Sequence, residues 1–152
     1  MAHANAVTLQ RNSDGIDWSA LVDLFKLTNL GGREGDKIKR AFDKSDLVCF
    51  ARDASKLVGA ARALSDFEYH ATIYDVVVHP DYQRRSVGSR MMKELLSSLP
   101  VWRVLLVADA NVRPFYERLG FEPFGDVLAR YDSTRLYDTR YPPITPSRGP
   151  SC

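Results

Sequence analysis

Apolar residues recur at helical spacing in two stretches near the start of the chain. From Trp18 to about Thr28 they fall on one stripe, with Asp17 placed to cap the first turn and Gly31-Gly32 placed to stop the helix. A second stripe covers about Glu34 to Asp43. These stripes predict two helices, and a short candidate strand at residues 6–10 precedes them.

The pattern then changes to extended segments. Apolar runs from Leu47 to Ala51 and from Leu57 to Leu64 flank a polar turn at residues 52–56, which predicts two antiparallel strands. The segment from Ala71 to Val78 is rich in β-branched residues and predicts a third strand.

After this third strand, a basic loop leads into a predicted helix and then a further predicted strand. The apolar positions Val87, Met91, Leu95 and Leu99 recur every four residues and predict a helix. The segment from Arg103 to Ala108 is uniformly apolar at its centre and predicts a buried strand. A connection of this length through a helix predicts that the strands before and after it are parallel.

The last part of the chain has a different composition. A helix is predicted from Asn111, as its N-cap, through Leu119, and candidate closing strands lie at residues 121–124 and 126–131. Proline, serine, threonine and arginine are frequent from Ser133 to Cys152, which predicts an extended or disordered tail. The chain is therefore expected to comprise one domain, residues 1–132, and this tail.

Bulk properties narrow the possible functions. The length of 152 residues fits one domain, and a net charge of +2 is too small to favour nucleic acid or a membrane surface as partner. No apolar stretch approaches a signal peptide core or a membrane span. The two cysteines, Cys49 and Cys152, form neither a disulfide framework nor a metal site. We therefore expect a cytoplasmic protein without a metal.

The loop between the third predicted strand and its helix has the chemistry of an anion site. Gly88 and the small residues Ser86 and Ser89 allow a ligand to approach the backbone, and three arginines add positive potential at a helix N-terminus. The arginines are Arg84, Arg85 and Arg90. Taken alone, the same residues are equally consistent with a solvated basic turn.

Two motifs together resemble a known family. The first runs from Val78 through Gly88, and the second, Asn111 to Phe121, has Phe115-Tyr116 at its centre and Gly120-Phe121 at its end. They resemble the acetyl-CoA-binding core of the GNAT superfamily of N-acetyltransferases, whose patterns are Q/R-x-x-G-x-G/A and N-x-x-x-F-Y-x-x-x-G-F. Residues 59–66 and 71–76 also look like the small branch that includes plant serotonin N-acetyltransferases.

The resemblance covers about Ile16 to Tyr131 and implies a fold. That fold is a single α/β (α+β) domain with a mixed central sheet of about six to seven strands, splayed parallel central strands and about four helices. One position departs from the family pattern, because Ser86 stands where the first loop glycine is usual. If that position needs a positive φ, serine costs roughly 1 to 2 kcal/mol relative to glycine.

The resemblance also implies a binding mode for acetyl-CoA as cosubstrate. The pantetheine arm would bond to the strand ending at Val78 as an added strand does, and the loop amides would hold the pyrophosphate. The predicted cofactor-binding residues are Val76, Val77, Val78, Gln83, Arg84, Arg85, Ser86, Val87, Gly88, Ser89, Asn111 and Phe115.

Four residues are candidates for the chemistry. Tyr116 matches the general acid of the family, and Asp75 or Asp109, directly or through water, could accept the proton of the amine. Tyr74 ranks close to Asp75, although strict alternation would send the two side chains to opposite faces unless a bulge intervenes. Asp109 also fits a turn or capping role.

The expected reaction is acetyl transfer to a primary amine of a small molecule, with an arylalkylamine as one candidate, by direct attack through a tetrahedral intermediate. Two alternatives stay open: acetylation of a protein or peptide amine, and a catalytically weak CoA-binding regulatory module suggested by Ser86.

The protein is expected to be a monomer or homodimer. Five aromatic residues could line an acceptor pocket or belong to the core: Trp18, Phe25, Phe42, Phe67 and Tyr69.

Overall fold

The computed structural model describes residues 6–28, 30 and 33–135. Within them, five strands form one sheet and four α-helices flank it. The strands are β1 (Val7–Gln10), β2 (Leu47–Asp53), β3 (Lys56–Ser65), β4 (His70–Val78) and β5 (Arg103–Leu105). The helices are α1 (Trp18–Leu27), α2 (Gly35–Asp43), α3 (Val87–Ser97) and α4 (Arg113–Glu117). Short 3-10 turns lie at Pro80–Tyr82 and Ser133–Arg135.

The sheet has the order β1-β2-β3-β4-β5, antiparallel up to β4 and parallel between β4 and β5. Helices cover both faces, because the central strands carry apolar side chains on each side. On one face α3 buries Met91 and Leu95 in a cluster with Ile73 of β4. On the other, α1 and α2 bury Phe25 and Phe42 in a cluster with Val77. Among the residues that the structure describes, no helix is long and apolar enough to cross a membrane.

The two parallel strands separate soon after they meet. Their register runs only from His70 opposite Arg103 to Thr72 opposite Leu105. Beyond it β4 continues to Val78, paired with β3 on its other side. The splayed parallel strands and the fold class expected from the resemblance are therefore confirmed.

A β-bulge interrupts β4 on the side of β3. Ala60 pairs with Val77 and Arg62 with Tyr74, so that Asp75 and Val76 both lie opposite Ala61. Asp75 adopts a φ of +56° to accommodate the extra residue.

The described sheet has fewer strands than expected. The predicted strand from Arg103 to Ala108 ends at Leu105, because the splay removes its hydrogen-bonding neighbour. Residues 121–124 and 126–131 are irregular rather than strands. Pro123 has no backbone N–H to donate to a ladder, and Leu128 is 97% exposed rather than alternating into a core. Most of the predicted tail, residues 136–152, lies outside the described residues.

The last helix is shorter than predicted and starts later. It begins at Arg113, with Val112 rather than Asn111 as N-cap and no side-chain cap. The reason is the turn before it, in which Asp109 Oδ1 accepts the N–H of Asn111 at 3.0 Å and the Asp109 carbonyl accepts from Arg113 at 3.1 Å. Gly120, at a φ of +92°, follows the end of the helix.

Candidate functional site

The exposed edge of β4 forms one wall of the candidate site. From Ile73 onward this strand has no parallel partner, so its backbone faces the gap on the β5 side. Val76 and Val78 pack against the cluster under α3, whereas Val77 is buried in the cluster under α1 and α2. The backbone that the sequence predicted to hold the pantetheine arm therefore borders an open gap between splayed strands.

The loop from Gln83 to Ser86 connects β4 to α3. The Gln83 side chain donates from Nε2 to the Val78 carbonyl at 3.0 Å, which ties the loop to the end of the strand. Arg84 and Ser86 adopt φ values of +58° and +63°, and Ser86 makes no side-chain cap hydrogen bond. The position where the family usually has glycine thus does require a left-handed conformation.

The N-terminus of α3 offers backbone donors at the same place. The first N–H groups of an α-helix, here those of Val87, Gly88 and Ser89, have no acceptor within the helix and attract anions. The loop and helix start together fit a diphosphate, because they combine backbone donors, the positive end of the helix dipole and two arginines, Arg84 and Arg85.

Gly88 brings the two sequence motifs into contact. A Cβ atom at this position would lie 3.3 Å from Phe115 Cζ and 3.5 Å from Val78 Cγ2. The absence of a side chain therefore lets α4 pack across the start of α3 and the end of β4. This contact places the Phe115-Tyr116 motif beside the loop, although α3 and β5 separate the two in the sequence.

Tyr116 lies on α4 with its ring partly buried between two aromatic side chains. The ring centroids of Phe115 and Phe121 are 4.9 and 5.9 Å from that of Tyr116, both with edge-to-face geometry. Asp109 is exposed and stabilises the turn before α4, which is the turn role that the sequence left open for it. Asn111 is also exposed in this turn.

The bulge of β4 carries a buried ion cluster that we call the bulge cluster, formed by Asp75, Arg33 and Arg62. Arg33 Nη2 donates to Asp75 Oδ1 at 2.8 Å, and Arg62 Nε donates to Asp75 Oδ2 at 2.6 Å. The Asp75 side chain is only 3% exposed, and those of Arg33 and Arg62 are 14% and 16% exposed. Each carboxylate oxygen is therefore engaged by a guanidinium group in a largely dry environment.

The bulge also decides which way Tyr74 points. Arg62, which lies opposite Tyr74 in the register, has its guanidinium carbon 5.1 Å from the Tyr74 ring centroid. The same arginine bonds Asp75, so the bulge turns Tyr74 and Asp75 to one face instead of alternating them. Tyr74 is 41% exposed, so its ring contributes to the surface on the α2 side of the gap.

Sequence reasoning missed both arginines of the bulge cluster. Arg62 sits in a strand between Ala61 and Ala63, both fully buried, and a charged residue in such a run is a usable signal for a buried partner. Arg33 carried no such signal, because its partner is 42 positions away.

Of the five aromatic residues that could line an acceptor pocket, three belong to the core and two are exposed. Phe25 and Phe42 are fully buried in the core, and Trp18 packs against Phe42 with ring centroids 5.8 Å apart. These three side chains hold α1 and α2 on the sheet. Phe67 and Tyr69 are 39% and 68% exposed in the turn before β4.

An open cleft of about 310 Å³ lies elsewhere, between α1 and the β2–β3 turn. Leu24, Lys56 and His79 are among its lining residues, and none of the predicted cofactor-binding residues lines it. His79 is held by its own turn, because Nδ1 accepts the N–H of Asp81 at 3.1 Å. We therefore place the site at the splayed strands rather than in this cleft.

Comparison with known proteins agrees with this geometry. Residues 44–123, more than half of the chain, match the family described as acetyltransferase (GNAT) domain. The chain belongs to the GNAT acetyltransferase family. The family expected from the two motifs is therefore confirmed, and those motifs are the ones that Gly88 brings together.

Relatives of this GNAT chain include serotonin N-acetyltransferase 2, chloroplastic, of Oryza sativa subsp. japonica, 32% identical over 132 residues that cover 82% of this chain and 66% of that protein. An uncharacterized N-acetyltransferase, ycf52, of Gracilaria tenuistipitata var. liui is 38% identical over 111 residues, or 66% of this chain and 61% of that one. The chain spans just under two thirds of the length of these two relatives.

The fold also matches solved GNAT structures. An acetyltransferase of the GNAT family from Streptococcus pneumoniae superposes with a TM-score of 0.69 at 23% identity, covering 83% of this chain and 99% of that one. At this identity the likeness supports the fold and not a particular substrate.

Proposed function

We propose that this protein transfers an acetyl group from acetyl-CoA to a primary amine of a small molecule. The observation that carries the proposal is the contact of Gly88 with Phe115 and Val78, beside the gap where β4 and β5 part. It joins a backbone anion site, an exposed strand edge and the Phe115-Tyr116 motif in one place. These are the parts that binding a diphosphate thioester requires.

Acetyl-CoA would be held mainly by backbone groups. The strand edge from Val76 to Val78 would bond the pantetheine amides, and the loop from Gln83 with the first turn of α3 would bond the pyrophosphate. Arg84 and Arg85 would add charge at the rim. Asn111 and Phe115 would contribute from the α4 side.

The reaction needs a free amine, a stabilised oxyanion and a proton for the leaving thiolate. Freeing the lone pair of an amine with a pKa of about 10 costs roughly 4 kcal/mol at neutral pH. Because both oxygens of Asp75 are engaged by arginines, we favour the exposed Asp109, acting through water, as the proton acceptor. A β4 amide at Val76 would stabilise the oxyanion, and Tyr116 would protonate the thiolate.

The choice of acceptor class is supported by the name of one relative rather than by the geometry of the site. One relative is named a serotonin N-acetyltransferase, so arylalkylamines are the first acceptors to test. The partly exposed Tyr74 ring would provide an apolar surface on the acceptor side.

The proposal can be tested by thiol release from acetyl-CoA with arylalkylamines, polyamines, amino acids and lysine peptides as acceptors. We expect turnover with at least one small amine, and a fall in kcat of about 100-fold or more for Tyr116→Phe. Tyr131→Phe, which changes an exposed tyrosine outside the predicted site residues, is the matched control. Burial raises the pKa of the Cys49 thiol to about 11, so this residue should add little background.

Two outcomes would contradict the proposal. If acetyl-CoA binds and no acceptor releases thiol, the protein is a CoA-binding module instead. If only lysine peptides are acetylated, the substrate is a protein amine. Full turnover by Tyr116→Phe would remove the general-acid assignment but leave the transferase.

A further inference from the structure

The bulge of β4 is a strained feature that needs external support. Asp75 holds a positive φ of +56° inside a strand, and backbone in this region persists only where surrounding contacts impose it. The β3 register places Asp75 and Val76 opposite one residue, Ala61. The ladder alone therefore does not fix how the backbone at Val76 is oriented.

The contacts that impose the conformation come from side chains far away in the sequence. Arg62 reaches Asp75 from the neighbouring strand, and Arg33 reaches it from the residue just before the Glu34 N-cap of α2. Arg62 also lies over the rings of Tyr74 and Phe42, at 5.1 and 5.9 Å. The bulge is thus held between a strand and the start of α2.

We infer that Arg33 is a positioning residue for acetyl transfer: by holding Asp75, it fixes the bulge so that the Val76 amide faces the reacting carbonyl and Tyr74 faces the acceptor. This inference rests on the proposed function. It assigns Arg33 no contact with substrate, since its Nη2 group is spent on a carboxylate that is 3% exposed. The inference concerns the reacting part of the site and not the part that would hold the pyrophosphate, because no member of the bulge cluster lies in the loop from Gln83 to Ser86.

The test compares Arg33→Met and Arg33→Lys with wild type in the full chain. We expect Arg33→Met to lower kcat by about 10- to 100-fold, the effect of a misplaced reacting group. The acetyl-CoA dissociation constant, measured by calorimetry, should change much less than kcat, because Val77, Val78 and the loop that would hold the cosubstrate lie outside the bulge. Arg33→Lys should recover part of kcat because it keeps a charged donor. Adding Arg33→Met to Asp75→Asn should lower kcat little further, since both changes release the same bulge.

Arg52→Met is the matched control. Arg52 is also partly buried and makes two hydrogen bonds, to Gln10 and the Gly15 carbonyl, but it lies on β2 away from the bulge. We expect this variant to lower Tm and leave kcat unchanged. The inference is wrong if Arg33→Met keeps kcat, if it acts on acetyl-CoA binding instead, or if Arg52→Met lowers kcat equally.

A second readout does not depend on activity. Hydrogen exchange of the β4 amides from Asp75 to Val77 should be faster in Arg33→Met than in wild type and unchanged in Arg52→Met. If wild type releases no thiol with any amine, the proposed function fails while this exchange experiment still decides whether Arg33 holds the bulge. Unchanged exchange in Arg33→Met would overturn the inference.

Discussion

Two segments, the bulge of β4 and the loop between β4 and α3, hold non-glycine residues in the left-handed region by different means. Ser86, in the loop before α3, has a φ of +63° and no side-chain cap hydrogen bond. Asp75, in the bulge, has a φ of +56° and two arginine partners in a buried cluster. The loop would bind its ligand through backbone groups, whereas the bulge is shaped by side chains from other elements.

This difference predicts that the two segments will tolerate substitution differently. A backbone site needs only that the chain reach the right conformation, so serine can replace glycine at position 86 for a modest cost in free energy. A site shaped by buried charges depends on every partner, because removing one takes a charged contact from the others in a medium of low dielectric. The following predictions test this contrast, from the largest effect to the smallest.

Asp75→Asn should give the largest loss of stability. Asparagine tolerates a positive φ, so the substitution removes the charge while keeping the backbone preference. It removes the carboxylate charge that engages the guanidinium groups of Arg33 and Arg62, and we expect the free energy of unfolding to fall by about 3 to 5 kcal/mol. Urea denaturation measures this change. A loss below about 1 kcal/mol, the size seen for exposed pairs, would mean that the bulge is not held by its ion cluster.

Gly88→Ala should have the next largest effect, on the loop side. The new Cβ would lie 3.5 Å from Val78, an ordinary contact, and 3.3 Å from the Phe115 ring, so this ring must move by a few tenths of an ångström. We expect a loss of about 1 to 3 kcal/mol in stability and weaker acetyl-CoA binding, measured by denaturation and calorimetry. In Gly125→Ala the added atom meets nothing within 4 Å, and this variant should bind as wild type does. Equal binding by both variants would contradict the proposed role of the Gly88 contact.

Ser86→Gly should act in the opposite direction and more weakly. Glycine relieves the left-handed φ of +63°, and we expect a gain of about 1 kcal/mol in stability, reduced by the entropy of the more flexible unfolded chain. The matched change Ser89→Gly, in the first turn of α3, should instead lower stability by about 0.5 to 1 kcal/mol. Chemical denaturation of both variants gives the two signs, and the same sign for both would contradict the strain at Ser86.

Asp17→Ala should have the smallest effect on stability, because this carboxylate is exposed and water can replace its hydrogen bonds. The Ser19 hydroxyl and the Ala20 N–H donate to Asp17, and they hold the pKa of its carboxyl below the ordinary value of 3.8. The carboxylate therefore stabilises the fold above pH 3.8, and this contribution is lost as the pH falls through the lower pKa of the folded state. Thermal unfolding should show a lower Tm for Asp17→Ala at neutral pH and a smaller difference below pH 3.8. A difference that is independent of pH would exclude a charged cap.

Local patterns were sufficient for most of the fold. The helical stripe after Asp17 and the strand-loop-helix succession through Val87 were predictable, because propensity, capping and periodicity act over a few residues. The residues from Phe121 to Tyr131 were predicted wrongly as strands, since a strand needs a partner that the local pattern does not specify. For the same reason the strand that begins at Arg103 was predicted to end at Ala108, whereas it ends at Leu105.

The sequence by itself indicated the family, through two motifs that resemble the acetyl-CoA-binding core of GNAT acetyltransferases, and the family match over residues 44–123 confirmed it. The tertiary structure alone decided that Gly88 is the point where those motifs meet, and that a bulge turns Tyr74 and Asp75 to the same face. It also paired Asp75 with Arg33, 42 positions away. The physical reason is that backbone conformation follows from neighbouring residues, whereas buried charge pairing depends on which distant elements fold against each other.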